Sequence, residues 1–535
     1  MKSQINTFLL AALTTALLGC SNTEAGLPEH CVVPDGKSDF PGFQHFVTRD
    51  GYKLLEGDRP LRFIGLHTTE LHRIEDDVAS ANSEIGKADH FRWPSAREQE
   101  NWIKALVKSG HTVSRTYTLS VDDLSLPDAV RENMPVHVVR NPATGGVELN
   151  PEAMRVFDRL VYLADLHGLR LIVPFIDHWS WWGGKRELAL MVGEEQLDTK
   201  EAGPLYDVDS KTYAAYRGII EQLLTHRNSC TGREYREEKA IMAWETGNEL
   251  RGTNKRFLAE TAALIKRLAP NQLVVDGDQQ ADNINSGRQD DVGNGEFLGL
   301  LDKNVDIQSN HFYGAYMDPE VVRSQAKLAR KYDKPLFVGE YGLQPFAQIE
   351  EVTRALAEEP AIAGALLWGF RGHREAGGFY WHREFDGHLS YHLPGFSVND
   401  DNNERPVIDL LRRTQAEISD DPRAVGFARK LPAPEAPWLH PVKANGEINW
   451  MGSPLGERYR LYRSEDGGEN WELHADNLVD GENFWNPEKQ SLYREQQLPG
   501  KGCFSYRLVA VNESGESGPS NIQTLCADGR DVADR

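Results

Sequence analysis

Residues 241–250 read IMAWETGNEL, and the fold follows from how that stretch is built. An apolar run of strand length ends in a polar cluster closed by Asn248 and Glu249. A parallel strand buried on both faces reads as a continuous apolar run, and the residues just past it stand at the rim of the sheet. Residues 336–343, LFVGEYGL, repeat the pattern, with one acid, Glu340, bracketed by Gly339 and Gly342. Working outward, further candidate strands lie at 61–66, 112–116, 169–176, 273–276, 306–310 and 363–368. Helical patterns at 95–109, 151–167, 211–227, 254–268, 318–331, 346–358 and 405–417 alternate with them. Eight strands alternating with helices predict an α/β fold, a closed parallel (β/α)8 barrel. A doubly wound sheet is the competing fold, but no Gly-rich phosphate loop follows the first strand.

The barrel is expected over 40–418, entered through a hairpin whose turns are Arg49-Asp50-Gly51 and Glu56-Gly57-Asp58. Residues 419–438, rich in proline and charge (LPAPEAPW), read as a linker. From 439 to 527 the periodicity changes to short alternating runs at 447–450, 458–463, 470–474 and 505–512, which predict a small all-β sandwich followed by a tail at 528–535. The stretch YRLVAVNESGESGPSN, 506–521, resembles the last hairpin of a fibronectin type III module. Such a sandwich binds carbohydrate or acts as a spacer, and the sequence leaves both open.

With 535 residues the chain is long enough for one large domain and a small one. Its 59 basic and 81 acidic residues leave a net charge of −22, which argues against nucleic acid or an anionic membrane surface as partner. Lys2, the apolar segment 8–18 and Leu17-Leu18-Gly19-Cys20 resemble a bacterial lipoprotein signal with its lipobox. That resemblance implies export, a mature chain starting at lipidated Cys20, and a membrane contact through the anchor alone. Ser21 is compatible with the outer membrane, and 21–39 would be a tether. An ordinary signal peptide cut nearby is the alternative. Export permits disulfides, and the remaining four cysteines allow three pairings. Cys503 and Cys526 share the C-terminal module and are expected to pair, which leaves Cys31 with Cys230. Zinc spacings are absent, so no metal and no cofactor is expected.

Polar residues just past the strands form the functional face of such a barrel. Here they are His67 and Glu70, Arg115 and Tyr117, Asp177, His178 and Trp179, Asn248 and Glu249, Asp278, His311 and Tyr313, Glu340 and Tyr341, then Trp368, Arg371 and His373. Two acids from opposite strands are the equipment of glycoside hydrolysis, where one carboxyl protonates the departing oxygen and the other acts at the anomeric carbon. The competing reading makes Glu249 and Glu340 rim acids in salt bridges.

WETGNE, followed by VGEYG with its acid 91 residues further on, resembles clan A glycoside hydrolases and most closely family five, the cellulase and mannanase family. The resemblance covers roughly 43–417. It implies Glu249 as acid/base and Glu340 as nucleophile. It also implies Arg115 as the arginine touching the nucleophile, Asn248 as a ligand of the sugar 2-hydroxyl, His311 and Tyr313 as the sixth-strand pair, and Trp368 as the floor beneath the reacting sugar. HTVSRTYT, PFIDHWSWWGG and WETGNE are most similar to the β-mannan-cleaving branch. Two positions depart from it: His178 stands where asparagine is common, and Leu250 replaces the usual proline. The expected substrate is thus a β-linked oligo- or polysaccharide, β-1,4-mannan or manno-oligosaccharide first. The alternatives are a β-glucanase or β-glucosidase, or a non-catalytic glycan-binding lipoprotein.

The aromatic stretch 371–396 is long for a loop after the last strand, and Tyr380, Trp381 and His382 are expected to wall one end of the cleft, favouring short chains or chain ends. His382, His388 and His392 lack metal-site spacing and read as loop packing. Trp179, Trp181 and Trp182 are expected to offer a stacking platform, with at least one of them in the core.

Overall fold

The structure is a computed structural model that describes residues 27–33, 36–77, 90–195, 203–279, 292, 297–384, 387–396, 404–481 and 490–527. Cys20, its leader and the tail 528–535 lie outside the described residues. Eight parallel strands form the barrel: β1 (Phe63–Leu66), β2 (Val113–Arg115), β3 (Arg170–Pro174), β4 (Ile241–Glu245), β5 (Leu273–Asp276), β6 (Ile307–Phe312), β7 (Leu336–Tyr341) and β8 (Ile362–Leu367). They pair in the order β1-β8-β7-β6-β5-β4-β3-β2. Between β1 and β2 the ring is joined through the rim: the Thr68 amide donates to the Arg115 carbonyl at 3.1 Å and Ser114 Oγ to the Leu66 carbonyl at 3.0 Å.

Period-two alternation sorts the strand residues into two cores. Phe63, Val113, Ile172, Ala243, Val275, Ile307, Phe337 and Leu366 fill the barrel. Ile64, Leu171, Val173, Val274, Val338 and Ala365 face the helical layer. The predicted hairpin is a three-stranded antiparallel sheet (Val47–Asp50, Lys53–Glu56, Arg59–Leu61), and its Val47, Leu54 and Leu61 join the inner core as a floor. The site is therefore confined to the other end of the barrel.

Helices α1 (Ala96–Lys108), α2 (Pro151–His167), α3 (Lys211–Thr225), α4 (Lys255–Leu268), α5 (Pro319–Lys331), α6 (Phe346–Glu358) and α7 (Glu404–Ile418) lie close to the predicted spans. Their ends are locally encoded. Ser95 and Glu98 close a capping box on α1, and Asn150 caps α2 ahead of Pro151.

The proline-rich stretch after α7 is not an extended linker. Residues Pro422–Arg429 form a helix, α8, capped by Asp421, with Pro422 in its first turn where a missing N–H is harmless. It packs against the end of α1 so closely that a Cβ on Gly110 would lie 2.6 Å from that of Ala428. Glu435 then accepts hydrogen bonds from Lys104, at 2.9 Å, and from Lys108. The C-terminal strands follow, the longest being β9 (Arg458–Ser464), β10 (Glu472–Leu478) and β11 (Cys503–Asn512), packed over Trp450, Tyr459, Leu461, Tyr506 and Leu508. Disulfides join Cys503 to Cys526 and Cys31 to Cys230.

The module is locked to the barrel by buried polar groups. Asp480 accepts from Tyr459 Oη at 2.6 Å and Trp450 Nε1 at 3.0 Å, and pairs with His373 Nε2 at 2.9 Å. His373 belongs to the segment after β8, so this rim position serves the interdomain contact rather than the cleft. Tyr341 likewise turns outward, to Thr353 Oγ1 at 3.0 Å.

Candidate active site

Glu249 is positioned by backbone from both neighbouring strands. The Asn248 amide donates to the Ile176 carbonyl at 2.7 Å, and its carbonyl accepts from the His178 amide at 3.0 Å. On the other side the Leu250 amide donates to the Gly277 carbonyl at 3.0 Å. A proline at 250 has no N–H to give, so the departure from the family pattern is in use here. Gly277 must be glycine, because a Cβ there would lie 1.8 Å from the Gly247 carbonyl oxygen. Held between these anchors, Glu249 adopts φ +50°, a left-handed conformation that a non-glycine residue keeps only when its surroundings over-determine it.

Arg115, fully buried at the end of β2, organises the floor. Its Nε donates to Glu245 Oε2 at 2.5 Å, Nη1 to Glu340 Oε1 at 2.8 Å, and Nη2 to Asn248 Oδ1 at 3.0 Å. The fork is thus spread over three carbonyl and carboxylate partners, with one bond to Glu340. Nη1 also meets His67 Nε2 at 2.9 Å. Arginine only donates, so that nitrogen is an acceptor and His67 is neutral, in keeping with burial and the Arg115 charge, which hold its pKa well below the usual value. Glu245 is the partner that sequence reading misses. It closes the apolar run of β4 and looks like strand, and only the need of a buried guanidinium for a counter-charge points to it.

Asn248 is oriented by a complete set of partners. Its Nδ2 donates to Asp177 Oδ1 at 3.0 Å and Tyr117 Oη at 3.2 Å. Burial pushes the Asp177 carboxyl up to about 7.

The two glutamates converge. One oxygen of Glu249, one of Glu340 and a ring nitrogen of His311 all lie within 4.8 Å of one another. His311 Nδ1 stands 3.0 Å from Glu249 Oε1 and 3.5 Å from Glu340 Oε2. Trp179 Nε1 donates to Glu249 Oε2 at 2.6 Å, and Tyr313 Oη to Glu340 Oε2 at 2.8 Å. Burial raises the Glu249 pKa, but the His311 hydrogen bond and charge, Trp179 and Arg251 outweigh it and bring it to about 2. For Glu340 burial prevails over His311 and Arg115, and its pKa lies above the usual value. Burial depresses His311, while Glu340 and Glu249 together lift it above the ordinary histidine value. The carboxylates of Glu249 and Glu340 thus favour charge on the imidazole between them, and the imidazole favours charge on them. Arg115 and Tyr313 already donate to the Glu340 oxygens and Trp179 to Glu249, so these three side chains are better suited to proton handling than to a metal ion.

Above them opens a cleft of about 950 Å³ lined by Tyr117, Trp179, Asn248, Arg251, Tyr313 and Trp368, among others. Trp368 lies 4.8 Å from His67 and 5.9 Å from Tyr117, centroid to centroid. Of the three tryptophans after β3, Trp179 and the 45 % exposed Trp181 reach the cleft as a platform. Trp182 is mostly core, packed on Tyr117 and Phe91.

Three expected cleft residues are displaced. His178 is fully buried behind the wall, its ring 4.9 Å from that of Trp179, because its backbone pairs with Asn248. Trp381 is buried among Phe379, Leu389 and Phe396, and Tyr380 sends its hydroxyl to Glu98 Oε1 at 2.7 Å. Both rings serve packing, leaving His382, with Arg383 and Glu384, at the cleft. His392 is held by Glu404 and the Tyr380 carbonyl, both at 3.0 Å, so the loop histidines do not converge.

A barrel with two glutamates facing each other at its mouth defines the class, and comparison with known proteins gives the relatives. A family model described as "GH family 5 beta-mannosidase-like" matches residues 157–352. Mannan endo-1,4-beta-mannosidase 2 of Oryza sativa subsp. japonica is 26 % identical over 298 residues, covering 49 % of this chain and 65 % of that protein. Mannan endo-1,4-beta-mannosidase F of Aspergillus clavatus is 26 % identical over 259 residues, 45 % of this chain and 55 % of that protein. The chain thus spans somewhat under two thirds of these relatives. Among solved structures, the Glycoside Hydrolase Family 5 Mannosidase from Rhizomucor miehei superposes with a TM-score of 0.52 at 17 % identity, over 72 % of this chain and 99 % of that one. This likeness shows the shared (β/α)8 fold.

Proposed function

We propose that this chain is a retaining glycoside hydrolase that cleaves β-1,4-mannan or manno-oligosaccharides by double displacement. The observation that carries the reading is the approach of Glu249 and Glu340 within 4.8 Å. Retaining enzymes hold their carboxyl groups about 5–5.5 Å apart, whereas inverting ones leave about 6.5–9.5 Å for a water. In the first step Glu340 attacks the anomeric carbon as the bond to the leaving oxygen breaks, and Glu249 protonates that oxygen. In the second, water attacks the same carbon, passes a proton to Glu249, and Glu340 departs as carboxylate. Arg115 and Tyr313 donate to Glu340 and so favour its ionised form in both steps. His311 Nδ1, 3.0 Å from Glu249 Oε1, is placed to exchange a proton with it.

The sugar is argued from the relatives, whose names specify mannan, and from a cleft whose indoles suit pyranose faces. The test is hydrolysis of an aryl β-mannoside and of mannan, with the product anomer followed by NMR. A β-anomer appearing first, and loss of turnover in Glu340→Ala, support the reading. An α-anomer first, or unchanged turnover in that variant, overturns it. Equal or better cleavage of β-glucosides would move the substrate and leave the mechanism standing.

The C-terminal module fits a fibronectin-like sandwich that braces the barrel. The chain is further proposed to be exported and lipid-anchored through Cys20, most simply at the outer membrane, on the strength of Leu17-Leu18-Gly19-Cys20. Loss of fatty-acid labelling in Cys20→Ala tests this.

A further inference from the structure

Where the segments after β1 and β8 meet, a histidine is aimed between two carboxylates. His382 Nδ1 stands 3.4 Å from Asp77 Oδ2 and 3.7 Å from Glu75 Oε2. One oxygen of Glu75, one of Asp77 and a ring nitrogen of His382 all lie within 4.8 Å of one another. The Nδ1 atom is buried and makes no hydrogen bond among the described residues. The other ring nitrogen is engaged, with Nε2 at 3.1 Å from Glu384 Oε1. A carboxylate only accepts, so Nε2 carries a proton there, and in the neutral ring the lone pair is on Nδ1, facing Glu75 and Asp77.

These separations are those of atoms that share a metal ion. Two ligands each 2.0–2.2 Å from a tetrahedral zinc lie about 3.3–3.6 Å apart, longer than the usual N–H···O bond. The outer contacts agree. A metal-bound histidine passes its second N–H to a carboxylate, as His382 does to Glu384, and the ligand carboxylates are themselves hydrogen-bonded. Here Trp181 Nε1 donates to Glu75 Oε1, and the Arg383 amide to Asp77 Oδ2 at 2.8 Å. His90 Nδ1, 4.0 Å from Asp77 Oδ1, is a second buried ring nitrogen without a hydrogen bond among the described residues. The Arg371 guanidinium lies 3.7 Å from Glu75 Oε2, but at 3.2 Å from Glu70 Oε1 it is balanced by that acid. Glu75, Asp77 and Glu384 therefore keep an excess of negative charge around the imidazole.

We propose that Glu75, Asp77 and His382 bind a zinc-like divalent cation that clasps the segment after β1 to the segment after β8. One imidazole nitrogen and two carboxylate oxygens suit zinc, whereas calcium and magnesium prefer oxygen alone. Three protein ligands leave one tetrahedral position, and since Glu75 and His382 line the cleft, a water completes the set from that side. The clasp reaches the site through Glu384, whose Oε1 also accepts from Trp368 Nε1. The cation fixes the His382 ring, the ring fixes Glu384, and Glu384 holds the edge of the indole. Without a cation the same carboxylates draw a proton instead: burial lowers the His382 pKa, but Glu75, Asp77 and Glu384 bring it up to about 10. Zinc then displaces that proton as it binds. The proposal goes beyond the hydrolase reading and does not depend on it.

The test strips the untagged full chain with a chelator, removes the chelator, and titrates with zinc chloride by calorimetry and with cobalt chloride by visible absorption. One equivalent of zinc per chain, a melting temperature that rises with zinc, and the absorption bands of four-coordinate cobalt(II) are expected. His382→Ala and Asp77→Asn should lose that equivalent, and Glu384→Gln should weaken it by about 10–100-fold. Glu249→Gln should keep it, which separates this site from the trio of Glu249, His311 and Glu340. If the wild-type chain binds neither zinc nor cobalt, His382 is an imidazolium between carboxylates and the proposal falls. It also falls if the equivalent survives His382→Ala in a protein of wild-type melting temperature, if it is lost with Glu249→Gln, or if calcium binds there as tightly as zinc.

Discussion

Tyr313→Phe removes one oxygen from the site and leaves the ring that packs there. The lost hydroxyl is the 2.8 Å donor to Glu340 Oε2, while Arg115 still donates to Oε1. Hydrogen bonds to a charged acceptor contribute about 1.5–3 kcal/mol, and each 1.36 kcal/mol is tenfold in rate, so the step that depends on this bond slows by about 10–100-fold. The step concerned is the second. There Glu340 leaves the anomeric carbon and regains its negative charge, which the phenol stabilises. The covalent intermediate should therefore accumulate. With an aryl β-mannoside, stopped-flow mixing should show a burst of aryl alcohol approaching one equivalent of enzyme, followed by a steady rate reduced by that factor. The acid limb of the pH–rate profile should also move to higher pH, because one of the groups opposing the effect of burial on Glu340 is gone. A steady rate within twofold of wild type and no burst, in a protein that melts normally, would refute the role given to Tyr313.

Glu249→Ala should lower turnover of oligosaccharides by about 10²–10⁴-fold, yet keep rapid release of a good aryl leaving group that needs no proton; equal losses on both substrates would count against its assignment as the acid. Asp480→Ala strands three buried groups at the interdomain contact, Tyr459, Trp450 and His373, at about 1–3 kcal/mol for each unsatisfied group. Denaturant unfolding should show a loss of at least about 3 kcal/mol, and a loss under 1 kcal/mol would mean that the module is not braced there. His72 and His111 are fully buried, and burial brings each to about 4 from 6.5. Between those values the unfolded chain binds more protons than the folded one, so stability falls as pH drops from about 6.5 to about 4, by on the order of 3 kcal/mol for each histidine. A melting temperature that stays flat or rises on acidification over this window contradicts that account.

The barrel was legible because both of its periodicities are written plainly. IMAW, LFV and LIV are buried and apolar throughout, and the helices between them carry caps such as Ser95 and Asn150. The two glutamates were legible for the same reason, as acids in the polar clusters that follow apolar runs. What escaped reading is what depends on three-dimensional pairing. Glu245 hides inside a strand because its partner, Arg115, is 130 residues away along the chain. Trp381 and His178 carry the right chemistry for a cleft but face the wrong way. Their direction is set by packing of Trp381 against Phe379, Leu389 and Phe396 and by the rim hydrogen bond from the His178 amide to Asn248, and neither leaves a trace in composition. The stretch 419–438 reads as a linker on its proline and charge content, and composition does not show that Pro422 sits in the first turn of a helix.

The central claim is that Glu340 bonds covalently to the sugar. A β-mannosyl fluoride bearing fluorine in place of the 2-hydroxyl slows both steps, while the activated leaving group keeps the first one fast enough to trap the adduct. Mass spectrometry of the intact protein and of its peptic digest then locates the label. The account predicts one fluoromannosyl group per chain, on the peptide containing Glu340, with turnover lost in step. A label on another residue, or no label from a protein that still turns over aryl β-mannoside, would contradict it.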